Sequence, residues 1–175
     1  MRYKLFRALD NHRVGYGTLS KQQGLLKSPW YNIAGSMKAK IKLIDGIALA
    51  GTSDSNHWIT LDGPEEFGGF SAGPRPMELM LMGLAGCAGM DVLSILRKKR
   101  VKLNDFSMEV EAERAEDHPR VFTRIKLNYI FSGKNILPSD IERSIALTEE
   151  KYCGATAMLK KSVEIIHNYR ILESE

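Results

Sequence analysis

The sequence is poor in cysteine, proline and aromatic residues, and it has no long apolar run. Its 175 residues include two cysteines and six prolines, and aromatic residues make up 8%. Two cysteines exclude a disulfide-rich secreted scaffold and argue against a closed zinc cluster. No stretch approaches the roughly 20 uninterrupted apolar residues of a membrane span. With 43% hydrophobic and 26% charged residues, the composition is that of an ordinary globular domain.

Acidic residues are scarce only near the N-terminus. Residues 1–36 carry six basic residues and one acidic residue, whereas the remainder carries 19 basic and 20 acidic residues. The net charge of +4 therefore belongs to a basic leader, and no nucleic-acid partner is expected for the body. The glycine-broken leader permits three interpretations: a dispensable extension from an upstream start codon, a docking arm, or a targeting peptide. Residues 37–175 are expected to form the folded domain.

Apolar periodicity predicts a mixed α+β domain with the order βββ–α–ββ–α–β. Pro76 suits the first position of a helix that reaches about Lys99. This helix is apolar nearly all round, which predicts a long buried central helix at or near a homodimer interface. Ser139 is expected to cap the second helix. The later strands are predicted over Phe106–Ala115, Val121–Phe131 (with Val121, Thr123 and Tyr129 on one face) and Val163–Ile171.

Both cysteines lie in segments rich in small residues. Cys87 lies within Gly83-Leu-Ala-Gly-Cys-Ala-Gly-Met90. Each helical glycine costs about 0.5–1 kcal/mol relative to alanine, so three of them indicate the close approach of another segment. Cys153 precedes Gly154, where the second helix either breaks or continues, and a helix that restarts there would favour a thiolate. Each cysteine alone could be a core residue. Together, if they meet in space, they form the thiol pair of a peroxidase.

The two cysteine segments resemble those of the OsmC/Ohr family, the osmotically induced and organic hydroperoxide resistance proteins. The likeness rests on Pro74–Leu96, on Glu150–Leu159 and on the order of the elements, and it covers residues 37–172. Within this family, the sequence most resembles the OsmC-like branch without a settled function. The resemblance implies an OsmC-like fold in an intertwined homodimer with two interface sites. It also implies that Cys87 attacks the peroxide, that Cys153 resolves the product, and that a dithiol, of the lipoyl type, reduces the disulfide without a cofactor.

The resemblance implies a helper arginine and a helper glutamate, and the sequence departs from the family at both. In the peroxidase branches the glutamate directly follows the proline, but here Met77 follows Pro76 and the carboxylate is Glu78. Glu78 is half a turn out of phase with Cys87 on an ideal helix. Its alternative role is to match the helix dipole and to pair with Arg75, the candidate arginine.

Other charged or titratable residues are candidates for the helper arginine, for a pocket group or for a metal ligand. Residues 37–70 contain no arginine, so Arg120 and Arg124 are substitutes for the family arginine. Asp91 shares a helix face with Cys87, and its charge disfavours a thiolate there. It is either a satisfied buried aspartate or a polar group of a ligand pocket. No metal is expected, since the histidines lack metal-ligand spacing: His57, His118 and His167.

Two functions fit these residues. We expect a cytoplasmic, thiol-dependent peroxidase-like stress protein that reduces organic hydroperoxides through Cys87 and Cys153. Glu78 and Arg75 are its expected assisting residues. The alternative is a non-catalytic OsmC-like dimer that binds an apolar small molecule in the interface pocket, for which the methionine-rich first helix is suited. Neither function involves a membrane.

Overall fold

The structure, a computed structural model, describes residues 37–173. The interpretations of residues 1–36 lie outside the described residues. The element order confirms the mixed α+β fold, with one extra short helix before the last strand. A 3₁₀ turn covers Glu65–Phe67 and a π-helical turn covers Thr148–Tyr152. The strands are β1 (Ala39–Asp45), β2 (Ala48–Ser53), β3 (Trp58–Leu61), β4 (Asp105–Arg114), β5 (Phe122–Gly133) and β6 (Glu164–Glu173), and the helices are α1 (Pro76–Lys98), α2 (Pro138–Leu147) and α3 (Gly154–Leu159).

The first sheet is an antiparallel meander in the order β1-β2-β3. A two-residue turn joins β1 to β2, and Gly46 adopts there a φ of +52° that other residues rarely take. The strand register puts Ile41 opposite Gly51, and Gly51 opposite Ile59. The next row on the same face is Leu43, Leu49 and Leu61. One face of this sheet is therefore apolar, and the lysines of β1 lie on the other.

The second sheet has the order β4-β5-β6, with β4 antiparallel and β6 parallel to β5. Alternate residues of β5 are buried, among them Leu127 and Phe131. The prediction that Val121 and Thr123 share this buried face is wrong. A bulge in the β4–β5 pairing skips Thr123, so that Phe122 takes the buried side and Val121 is exposed.

The central helix α1 packs one face into the core of the second sheet through Leu84, Ala88, Val92 and Leu96. Gly89 permits the close approach of β4, because a Cβ at this position would lie 2.8 Å from the sulfur of Met108 and that side chain would have to move. The opposite face is exposed in the single chain. By length and composition α1 could cross a membrane, but this test is also passed by core helices, and α1 contributes to a packed core.

The N-cap of the second helix lies two residues before the predicted one. Leu137 is the N-cap residue and Pro138 occupies the first turn, where its missing N–H costs nothing. The prediction that Ser139 caps the helix is therefore wrong, since Ser139 lies inside α2. The chain then leaves α2 through the π-helical turn and reaches Cys153 in an extended conformation, with φ of −75° and ψ of 103°.

Candidate functional site

The first thiol of the candidate site lies in the middle of α1. Cys87 is half-buried, whereas its neighbours Ala88 and Gly89 are buried. One helical turn further, Asp91 is only 8% exposed. Residues four apart lie on one face of a helix, so the regular geometry of α1 puts the carboxylate beside the thiol. This confirms the shared face that the sequence predicts for Cys87 and Asp91.

The second thiol is positioned by the break between α2 and α3. Cys153 donates its N–H to the carbonyl of Thr148 at 2.9 Å, which closes the π-helical turn. Its sulfur accepts the N–H of Thr156 at 3.3 Å, so Cys153 caps the helix α3 with its own side chain. The helix therefore restarts at this cysteine, and the restart gives Cys153 Sγ a hydrogen-bond donor.

The fold brings the two cysteines and the aspartate together. The Sγ atoms of Cys87 and Cys153 and a carboxylate oxygen of Asp91 all lie within 4.8 Å of one another. Cys153 and Asp91 are buried, and Cys87 provides the partly exposed side of the cluster. Cysteines 66 positions apart in the chain thus form a compact thiol pair, which local sequence cannot establish.

The surroundings of Cys87 disfavour its thiolate. Burial is the largest cause that raises the pKa of this thiol, and the N–H of Ala155 acts in the opposite direction. Cys153 and the negative charge of Asp91 raise the Cys87 pKa further. In the single chain these surroundings therefore favour the protonated form of the Cys87 thiol.

The predicted assisting residues lie at the start of α1. The backbone N–H of Arg75 donates to Glu78 Oε2 at 2.9 Å, in a capping arrangement at the helix N-terminus. Nine residues separate Glu78 from Cys87, which is about 13 Å along a helix axis. Within one chain Glu78 serves the helix end, and its role beside a thiol stays a prediction.

The other candidate arginines have partners on the second sheet. Arg124 pairs with Glu164 at 2.8 Å and with Glu113 at 3.3 Å, which ties neighbouring strands together. Arg120 lies in the β4–β5 loop, where its carbonyl accepts a hydrogen bond from Arg114 at 2.8 Å. The side chain of Arg124 therefore has a structural role, whereas the contact of Arg120 involves only its backbone, and Arg75 stays the predicted arginine.

The pair formed by the fully buried Tyr129 and the half-buried His167 was not singled out by the sequence analysis. Tyr129 Oη lies 3.0 Å from His167 Nδ1, within hydrogen-bond distance, and the two rings stack. Burial raises the pKa of Tyr129, helped by Cys153, and burial lowers the pKa of His167. The available signal was one polar ring within each of two largely apolar strands. The sequence does not show that β5 pairs with β6 in parallel, and this pairing is what brings Tyr129 and His167 together.

Comparison with known proteins decides the family. The family model described as OsmC-like protein matches residues 68–168, which include both cysteines. The chain belongs to the OsmC-like protein family. Protein YhfA of Escherichia coli K12 is 38% identical over 136 residues, which cover 78% of this chain and 98% of YhfA.

Solved structures of OsmC-like proteins share the fold. A hypothetical protein from Aquifex aeolicus is 28% identical, with a TM-score of 0.71, over 81% of this chain and 99% of that chain. The organic hydroperoxide resistance protein OsmC from Legionella pneumophila is 17% identical, with a TM-score of 0.60, over 79% of this chain and 98% of that chain. The OsmC-like fold expected from the cysteine segments is thereby confirmed.

Proposed function

We propose that this OsmC-like protein is a thiol-dependent peroxidase that reduces organic hydroperoxides through Cys87 and Cys153. The observation that carries the proposal is the distance between the two Sγ atoms, which is within 4.8 Å. The stress and organic hydroperoxide context of the family, to which the named Legionella pneumophila relative belongs, supports it. A thiol pair that must return to its reduced form suits a reducing cytoplasm.

The exposure of the two thiols supports the role that we propose for each. Cys87 is half-buried and accessible to a small substrate, whereas Cys153 is 2% exposed. The Cys87 thiolate attacks the outer oxygen of the hydroperoxide, the O–O bond breaks, and the alkoxide takes a proton to leave as an alcohol. The Cys153 thiol then attacks the Cys87 sulfenic acid, which forms the disulfide and releases water.

The reductant in this proposal is a small external dithiol, of the lipoyl type. Its two thiols exchange with the Cys87–Cys153 disulfide, which restores both cysteines and leaves the reductant as a disulfide. Only the Cys87 side of the pair is partly exposed, so the reductant enters from that side. A slender dithiol meets this requirement better than a folded protein surface does.

The active form is an intertwined homodimer. In the single chain α1 exposes Met82 by 58% and Met90 by 46%, and a Cβ at Gly83 or Gly86 would meet no atom of the described residues within 4 Å. These residues lie on the helix that carries Cys87. A partner subunit on this face would exclude water from the thiol, and it is the source of the activating arginine and glutamate that residues 37–173 of one chain do not bring to Cys87.

The experiment is a single-turnover reaction on reduced, chelator-treated protein. One equivalent of cumene hydroperoxide is added, free thiols are alkylated, and both cysteines are mapped by mass spectrometry. We expect loss of both thiols into a Cys87–Cys153 disulfide, none in Cys87→Ser, and a trappable sulfenic acid on Cys87 in Cys153→Ser. If both cysteines of the wild type stay alkylatable after long exposure, the peroxidase function is wrong.

A second candidate is supported by the raised Cys87 pKa and by the exposed methionines of α1. In this alternative the dimer is not catalytic and binds an apolar small molecule in the interface pocket, where flexible methionines adapt to its shape. Native mass spectrometry of protein purified without detergent tests it. A copurified apolar ligand, together with inert thiols, would favour binding over catalysis.

A further inference from the structure

The Cys87, Asp91 and Cys153 cluster has the composition of a metal site as well as that of a thiol pair. Two soft thiolate sulfurs and one carboxylate oxygen are ligands that Zn²⁺ accepts. Catalytic zinc sites use three protein ligands and leave a fourth position open. Here the two buried residues, Asp91 and Cys153, form the inner side, and the half-buried Cys87 marks the open side.

The distances are close to those that a tetrahedral metal requires. Zinc–sulfur bonds of about 2.3 Å separate two sulfur ligands by about 3.8 Å. The three ligand atoms already lie within 4.8 Å of one another, so closure by about 1 Å at most completes the site. Rotation of the cysteine side chains about χ1 supplies movements of this size.

The ligands are held by rigid elements. Cys87 and Asp91 lie four residues apart on α1, the spacing at which two helical side chains reach one metal ion. Cys153 is fixed at the start of α3, where its sulfur accepts the Thr156 N–H at 3.3 Å. Such N–H donors to a metal-bound sulfur orient the ligand and offset its negative charge.

The deprotonated form of the cluster has the charge that a divalent cation requires. When a metal replaces the two thiol protons, the two thiolates and the Asp91 carboxylate carry up to three negative charges that face one point. A bound cation offsets these charges and so stabilises the deprotonated thiols. Asp91, which works against a reactive thiolate, has a positive role in a metal site.

We propose that Cys87, Asp91 and Cys153 of the reduced protein bind one Zn²⁺ ion with an open fourth coordination position. The site goes beyond the proposed peroxidase and does not depend on it, since zinc binding requires no reaction of Cys87 with a hydroperoxide. The two activities compete for the same sulfurs, because the disulfide form has no thiolates to offer the metal.

The first test is titration of reduced, chelator-treated protein with Zn²⁺ in the absence of peroxide. Isothermal titration calorimetry is expected to give one Zn²⁺ per chain, with about two protons released as the thiols deprotonate. Co²⁺ is the spectroscopic probe, and thiolate-to-cobalt charge-transfer bands are expected together with the visible bands of a tetrahedral ion. Mg²⁺ is expected not to bind. Absence of stoichiometric Zn²⁺ binding, or of the charge-transfer bands, overturns the proposal.

The second test uses variants that keep the fold. Asp91→Asn is expected to weaken Zn²⁺ binding by about tenfold or more, and Cys87→Ser by at least as much. Asp117→Asn, in the exposed β4–β5 loop, is the matched control and is expected to bind like the wild type. Equal affinity of Asp91→Asn and the wild type, with circular dichroism showing both folded, contradicts the assigned ligand set. Since no peroxide is present, failure here leaves the outcome of the peroxide reaction unaffected.

Discussion

The two sheets of this chain differ in how their apolar faces are covered. On the second sheet Leu127 and Phe131 are fully buried beneath α1 and α2. On the first sheet Ile41 is 55% exposed, Leu43 60% and Ile59 50%. Among the described residues, the main core cluster contains no residue of β1, β2 or β3. One half of the domain is complete as a single chain, and the other half presents an apolar surface.

This difference indicates what the second half needs. A three-stranded sheet with an apolar face requires a covering layer for independent stability. Large exposed apolar patches on a folded protein mark an interaction surface. The exposed face of α1 around Met82 and Met90 is a second such surface, on the helix that carries Cys87. A second copy of the chain is the partner that the proposed homodimer supplies for both.

The largest expected effect is on the complete half. Leu127→Ala removes a fully buried side chain from the core of the second sheet and is expected to lower the free energy of unfolding by about 2–5 kcal/mol. Urea denaturation followed by circular dichroism measures it. Thr123→Ala, at the exposed bulge of the same strand, is the control and is expected to change stability by about 0.5 kcal/mol or less. A similar small loss in Leu127→Ala would contradict a closed core.

The next effect concerns the incomplete half. Ile59→Lys puts a charge on the apolar face of the first sheet and is expected to raise the dimer dissociation constant by about tenfold or more. Light scattering over a dilution series measures the mass. Thr52→Lys, on the opposite face of the sheet, is the matched control. If the wild type is monomeric at all concentrations, or if both variants dissociate equally, the apolar face of this sheet is not the dimer surface.

Sequence patterns predicted the element order well because each strand and helix carries a local signal. Pro76 marked the start of α1, and the alternation through Leu127 and Tyr129 marked the buried face of β5. The bulge at Thr123 was not predicted, because it depends on how two strands pair. The cysteine pair could be named from its motifs, but its distance could not, since it depends on how α1 packs against the restart of a helix at Cys153.

A smaller effect is expected where the two halves join, at the start of α1. Glu78→Ala removes the acceptor of the Arg75 N–H and is expected to lower stability by about 0.5–1 kcal/mol. Glu78→Gln keeps an acceptor and is expected to lose less. Glu116→Ala, in an exposed loop, is the control. Thermal unfolding measures all three.

The same pair of variants separates the two roles of Glu78. If Glu78 is only a cap, Glu78→Gln keeps the rate of peroxide-driven disulfide formation. If it also assists Cys87, as the family resemblance implies, Glu78→Gln slows that reaction while its stability stays near that of the wild type. Equal stability of all Glu78 variants would show that the hydrogen bond at the helix start contributes nothing.

The smallest effect is electrostatic and lies inside the complete half. In metal-free Cys153→Ser protein, alkylation reports Cys87 alone. Burial raises the Cys87 pKa, so the alkylation rate is expected to rise with pH and to reach its half-maximum above the pH of an ordinary thiol.

Asp91 raises the Cys87 pKa further, hence Asp91→Asn is expected to shift the profile to lower pH. Asp117→Asn is expected to leave it unchanged. Because burial exceeds the charge of Asp91 as a cause, the profile of Asp91→Asn should stay above that of an exposed thiol. A profile at the pH of an ordinary thiol in both proteins would contradict a raised Cys87 pKa. It would mean that a partner subunit already activates Cys87 in the dimer, with the activating arginine on the other side of the interface.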